Sequence, residues 1–357
     1  MKAWVQELSS RKFPKGEYSQ GGQDGILAEI FRHVPTANVP PFCVEFGLNA
    51  DSLDGGSGAN VARLVLKEGW RALLLDGRHE NTSINLHREF LTSANIKEVF
   101  TRHCVPSEPD YVSIDLDTTD LWIFRSLLPR YRAAVYSVEY NSHFPLGAAI
   151  TFPDDPAERW ERDRGYGASL EAIALVAVEN GYSLVAVEPW LDAFFVRNDL
   201  IDDGSATIAP PLEHFRDCTG LVKNVPLKRR RRASIFLDYR VWRDSGGDLK
   251  RARSAAALRV RLGGLPAGLS RATLPVPCLA AWPRIQSADR SSPSILQSQA
   301  NPVEGDLRHE HSGRWPAIPR TIPPNSAAAE GFLYGISVVA GAGHAGHGRR
   351  HRRAGNR

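Results

Sequence analysis

The chain of 357 residues holds only four cysteines, Cys43, Cys104, Cys218 and Cys278, far apart and without any CxxC or Cys/His spacing. That argues against a disulfide framework and against a thiolate metal site, and leaves reduced thiols as the expectation. Long hydrophobic runs are missing too. None approaches the roughly 20 apolar residues of a membrane span, so no membrane association is expected. The opening segment, MKAWVQELSSRKFPKGEYSQ, has neither an apolar core nor a small-residue cleavage site. A cytoplasmic location is the expectation that follows. Lysine disappears after Lys250, where Arg, Ala, Pro, Gly and Ser dominate. No 3.6 or 2.0 period is sustained there, and such a composition buries too little apolar surface to offset the entropy of ordering. A GC-rich gene read out of frame would also give arginine without lysine.

The net charge of +4 conceals a division. Up to Gly220 there are 20 Lys and Arg against 32 Asp and Glu, a net of −12, and the remainder holds 24 against 8, a net of +16. The part that reads as folded is therefore acidic, and nucleic acid is not an expected partner despite the basic total. The run Lys228–Arg232 reads as a solvated charge run at a domain edge, with a nuclear address or phosphate patch as the alternative. The sequence leaves the oligomeric state open.

From Pro41 to Asn198 strand-like and helix-like segments alternate. Phe42–Phe46, Arg71–Asp76, a weak Glu89–Thr92, Asp110–Asp117, Ala133–Tyr140, Tyr182–Val187 and Ala193–Arg197 are short and nearly continuously apolar. Strands buried on both faces of a parallel sheet read this way. Between them, Asn60–Glu68 is closed by Gly69 and Asp120–Leu128 by Pro129. Ser169–Asn180 opens on a capping serine and stops at Gly181. The repetition predicts βαβ units and an α/β, Rossmann-like, doubly wound and mostly parallel sheet. Four regions follow: a lead-in over 1–17, the α/β domain over 18–205, a basic irregular extension over 206–250, and a low-complexity tail over 251–357, expected to be disordered.

Ligands of a doubly wound sheet bind beyond the carboxyl ends of its strands. Strand one ends in Glu45-Phe46-Gly47, where glycine allows a tight turn and close approach of a ligand. Strand two ends in Asp76, an acceptor suited to the ribose hydroxyls of a nucleoside cofactor. Strand four ends in Asp115-Leu116-Asp117, with Asp120 opening the next helix, and strand five in Glu139-Tyr140-Asn141, with His143 close behind. Buried carboxylates are costly unless paired, hydrogen-bonded or metal-bound. Asp115, Asp117, Glu139 and Asn141 are therefore the candidate ligands of Mg²⁺ or Mn²⁺, and Asp115, Glu139 or His143 the candidate base. The plainer reading has Asp117 or Asp120 capping a helix and Asn141 closing a turn.

Taken in order, Tyr18-Ser19-Gln20-Gly21-Gly22-Gln23-Asp24-Gly25, Val44–Gly47, Gly69–Gly77, Asp110–Asp117 and Val138–Asn141 resemble the FkbM-type S-adenosylmethionine-dependent methyltransferases. The resemblance spans Tyr18 to Asp199 and implies a class I methyltransferase sheet that transfers a methyl group to a hydroxyl of a small molecule or sugar. It places Glu45 and Gly47 at the amino-acid end of S-adenosylmethionine, Asp76 at its ribose, and Gln23 and Asp24 as contacting or supporting residues. The chain departs from the G-x-G-x-G loop, keeping Gly47 and then bringing Gly55, Gly56 and Gly58, and it carries Thr118 where the family often has glycine. Two other readings remain open here. Asp115-Leu116-Asp117 fits the D-x-D signature of metal-dependent sugar-nucleotide transferases, and the same fold serves non-catalytic interaction modules.

Overall fold

The computed structural model describes residues 1–54, 58–162, 165–221 and 236–262. Its apolar runs become strands β1 (Phe42–Phe46), β2 (Arg71–Asp76), β3 (Leu86–Arg88), β4 (Tyr111–Ile114) and β5 (Val135–Glu139). The two-residue β6 (Ile150–Thr151) stands apart, and β7 (Tyr182–Val187) and β8 (Asp192–Arg197) complete a seven-stranded sheet in the order β3-β2-β1-β4-β5-β8-β7. Strands β1 to β5 run parallel, whereas β8 is antiparallel to both of its neighbours, β5 and β7. The α/β, mostly parallel architecture expected from the sequence is present.

Helices cover both faces, and the strand side chains alternate between them. Phe42, Val44, Phe46, Leu73, Leu75, Val112, Ile114, Tyr136 and Val138 pack with α4 (Ile96–Arg102), α5 (Asp120–Leu127) and α6 (Leu170–Glu179). Cys43, Leu74, Tyr111, Val135, Phe194 and Val196 face the other way, toward α1 (Ala3–Ser10), α2 (Gln23–His33), α3 (Ala62–Glu68) and the short α7 (Asn198–Ile201). A side-chain period of two with burial on both faces explains why these strands read as unbroken apolar runs. The helix signals hold at their ends. Ser169 Oγ accepts from Ala172 N–H at 3.2 Å, and Gly69 closes α3 in the left-handed region at φ +74°.

Several expectations are corrected. The weak third strand lies at Leu86–Arg88 instead of Glu89–Thr92, because Asn85, at φ 57°, turns the chain into register with β2 three residues earlier. The fourth strand stops at Ile114, before Asp115, and the chain then turns, with Asp117 in the left-handed region at φ 64°. The lead-in over 1–17 contains α1, whose Val5 and Leu8 are buried in the domain core. The extension over 206–250 is not irregular throughout. Leu237–Asp238 forms β9, antiparallel to β6, and leads into α8 (Tyr239–Asp244) and α9 (Leu249–Leu262). Phe236, Leu237, Tyr239, Ala252 and Ala256 are all fully buried. A two-residue strand and a six-residue helix carry no readable period, so only packing reveals them. The tail expected to be disordered over 251–357 is helical over its first residues, 251–262 of α9, where Ala252 and Ala256 pack into the domain. The rest of it, the run Lys228–Arg232, Gly55 and Gly56 lie outside the described residues. Among the described residues, no helix is long and apolar enough to cross a membrane.

Candidate functional site

The strand order reverses between β1 and β4, and the carboxyl ends of the strands there carry most of the acidic residues singled out from the sequence. Gly47, at φ +70°, follows β1, and a Cβ added to it would lie 1.9 Å from the Asp115 carbonyl oxygen. The turn after β1 and the end of β4 are thus in backbone contact at the crevice, a closeness that only glycine permits.

One polar stripe crosses the sheet on the face of α2 and α3. Register aligns Glu45 with Ser113, Ser113 with Ser137, and Glu139 with Asp192. Asn60, just ahead of α3, donates from Nδ2 to Ser113 Oγ at 3.0 Å and to Asp192 Oδ2 at 3.2 Å. Gln23 Nε2 also donates to Asp192 Oδ2, at 3.0 Å, while Ser137 Oγ donates to Ser113 Oγ at 3.2 Å and lies 2.7 Å from the Tyr111 hydroxyl. Glu45 accepts from Asn60 N–H at 2.8 Å and Val61 N–H at 3.0 Å, so its carboxylate serves the open amides at the start of α3. Burial pushes Glu45 up to about 7 against the pull of those two amides, and the nearby Asp192 adds to the rise. Asp192 is itself raised by burial. Sequence reading missed it because it opens the one reversed strand, where an amino end, not a carboxyl end, meets the crevice.

The residues assigned to a nucleoside cofactor are held as follows. Asp76 Oδ1 accepts from Arg78 N–H at 2.6 Å and His79 N–H at 2.8 Å, and Oδ2 accepts from Asn49 N–H at 2.8 Å. A carboxylate offers about four acceptor positions. Three are taken, which leaves Asp76 room for one hydroxyl instead of two. Asp24 Oδ2 accepts from Tyr18 N–H at 3.0 Å, and Gln23 Oε1 from Gly21 N–H at 2.7 Å. Both residues brace the Tyr18–Gly22 turn.

At the ends of β4 and β5, one carboxylate oxygen each from Asp115, Asp117 and Glu139 lies within 4.8 Å of the other two. Burial raises all three, Asp117 to about 6. The largest effects on Asp115 after burial come from acidic neighbours: Asp117, Asp192, Asp120 and Glu45. Asp120, fully buried, accepts from Leu116 N–H through Oδ1 at 2.6 Å and is pushed up to about 7 by burial. Thus Asp117 joins the cluster, while Asp120 closes the Leu116–Asp120 loop ahead of α5.

Asn141 takes part in the turn after β5. Its Nδ2 donates to Tyr166 O at 2.9 Å and its Oδ1 accepts from His143 N–H at 3.0 Å, as a turn-closing residue does. His143 Nδ1 lies 2.7 Å from Leu221 O, an acceptor, so Nδ1 carries the proton and Nε2 is the basic nitrogen of the neutral ring. The ring packs edge-on between Tyr166, at 6.1 Å, and Trp190, at 5.7 Å. Two surface hollows, of about 110 Å³ beside Arg197 and about 560 Å³ beside Lys97 and Arg125, contain none of these carboxylates. No family model and no curated protein matches the chain.

Proposed function

We propose that the protein is an S-adenosylmethionine-dependent methyltransferase acting on a hydroxyl of a small molecule or sugar. The sheet carries this reading. Its order, with β8 alone reversed between β5 and β7, is the order expected of a class I methyltransferase sheet and supports the reading, and Glu45, Asp76, Asp115 and Glu139 all stand at or just past the carboxyl ends of its strands.

The donor set suits the cofactor. Asn60 Oδ1 is buried without a hydrogen-bond partner, beside the Asp192 and Glu45 carboxylates. Acceptors alone, two of them acidic, match the ammonium of the cofactor's amino-acid end. The remaining acceptor position of Asp76 matches one ribose hydroxyl. When bound, S-adenosylmethionine supplies an electrophilic methyl group. The protein's task is then to hold an acceptor hydroxyl in line and to take its proton. His143 Nε2 is the base best prepared for this, since the Leu221 carbonyl fixes the tautomer. Asp115 and Glu139 orient the hydroxyl.

Calorimetric titration of the full chain with S-adenosylmethionine, S-adenosylhomocysteine and a UDP-sugar plus Mn²⁺ tests the proposal. Binding of the first two at one per chain is expected. Binding of the UDP-sugar alone would replace the reading with a D-x-D sugar-nucleotide transferase. Binding of none would leave a non-catalytic module.

A further inference from the structure

Ionised carboxylates only accept hydrogen bonds, so a buried cluster of them needs donors or a cation. The end of β4 and β5 has too few donors. Glu139 Oε2 is sealed from solvent with no partner, and so is Oδ2 of the fully buried Asp120. Asp120, three residues after Asp117 at the start of α5, raises both Asp115 and Glu139 by repulsion, so a fourth buried carboxylate adds to the negative charge at the same strand ends. No ion pair among the described residues reaches any of the four, although the domain forms ion pairs elsewhere, such as Arg197 with Glu108 at 2.8 Å. Two oxygens without donors, and three carboxylates facing one another with no ion-pair partner among the described residues, are two separate signs of uncompensated negative charge.

We propose that Asp115, Asp117 and Glu139 bind one divalent cation of the Mg²⁺ or Mn²⁺ class, with Asp120 supporting them from behind. The ligand oxygens lie no more than 4.8 Å apart. Opposite ligands of Mg²⁺ stand about 4.1 Å apart, and those of the longest Ca²⁺ bonds about 5.2 Å. At least two of the three pairs must be adjacent ligands, about 2.9 Å apart on Mg²⁺, so the cluster has to close by up to about 1.9 Å for the smaller ion and by less for Ca²⁺. Oxygen-only ligands favour Mg²⁺, Mn²⁺ or Ca²⁺ and disfavour zinc. Three carboxylates from two adjacent strand ends leave the remaining coordination positions to water or to an acceptor oxygen. Only the catalytic use of the ion, lowering the pKa of a coordinated hydroxyl, rests on the methyl-transfer reading. Binding does not.

The test is an electron paramagnetic resonance titration of the chelator-treated full chain with Mn²⁺, without any nucleoside present. One bound Mn²⁺ per chain is expected, displaced by Mg²⁺. Asp115→Asn and Glu139→Gln should each weaken binding by more than the roughly 10- to 100-fold typical of losing a supporting residue, and Asp120→Asn by about that amount. In metal-free buffer the first two variants should melt no lower than the parent, because each removes a charge from a repelling cluster. Added Mg²⁺ should raise the melting temperature of the parent and leave theirs unchanged. A parent chain that binds no Mn²⁺, or variants that bind it as tightly as the parent, would overturn the proposal. Mn²⁺ binding without S-adenosylmethionine binding would sink the methyl-transfer reading alone.

Discussion

Phe236→Ala is the sharpest test of whether the segment after residue 235 belongs to the domain. Phe236 is fully buried, stacked on Phe152 with ring centres 5.0 Å apart and edge-on to Phe144 at 5.3 Å. It immediately precedes β9, which pairs Leu237 with Thr151 and Asp238 with Ile150. The next rung is Tyr239 N–H donating to Ala149 O at 2.7 Å. Removing a buried phenylalanine side chain costs about 3–5 kcal/mol in lost transfer energy and cavity. For a domain of this size about 1 kcal/mol moves the midpoint by roughly 2–4 °C, so a fall of about 6–20 °C is expected. Urea unfolding followed by tryptophan fluorescence should show a lower midpoint with an unchanged slope. Phe236→Leu, which refills most of the volume, should recover a large part of the loss. The consequence reaches the site, because Phe152 N–H donates to Gly167 O at 3.2 Å and Gly167 N–H to Asp117 O at 3.0 Å. A loss below about 1 kcal/mol would refute the reasoning, and with it the place of Phe236 in the core.

Glu45 makes stability fall as pH rises. The unfolded carboxyl ionises near 4.5 and the folded one near 7, so between those values only the unfolded state gains its charge. The loss is about 3 kcal/mol over the window, and Glu45→Gln should flatten the slope by about 1.4 kcal/mol per pH unit between pH 5 and 7. Equal slopes in urea melts at the two pH values would contradict the assignment. Asp76→Ala should weaken S-adenosylhomocysteine binding by about 10- to 150-fold, a loss of roughly 1.5–3 kcal/mol, and unchanged affinity in a folded variant would remove Asp76 from the ribose. Gly47→Ala forces a side chain into the left-handed region, about 1–2 kcal/mol, and drives a methyl into the Asp115 carbonyl. Its melting temperature and Mn²⁺ affinity should fall together, and an unchanged melt would show that the turn relaxes freely.

The strands were legible because burial on both faces writes itself into sequence as runs such as Arg71–Asp76 and Tyr182–Val187. Helix ends were legible where a local residue decides them, as Ser169 and Gly69 do. The carboxylates after β4 and β5 stood out because charge inside apolar strands is costly. Local chemistry did not reveal which of them converge. Asp117 reaches the cluster, and Asn141 bonds Tyr166 and His143 in the turn after β5.

The sequence by itself determined the α/β alternation, the strand ends at which chemistry gathers, and the acidic character of that edge. These depend on neighbours along the chain and on a period of two or 3.6 residues. Only the tertiary structure decided the rest. The reversal of β8 brings Asp192 level with Glu139, the sheet register aligns Glu45, Ser113 and Ser137, and β9 attaches residues 236–257 to the domain. Each depends on pairing between segments distant in sequence, where hydrogen-bond register and shared burial, not local propensity, set the outcome.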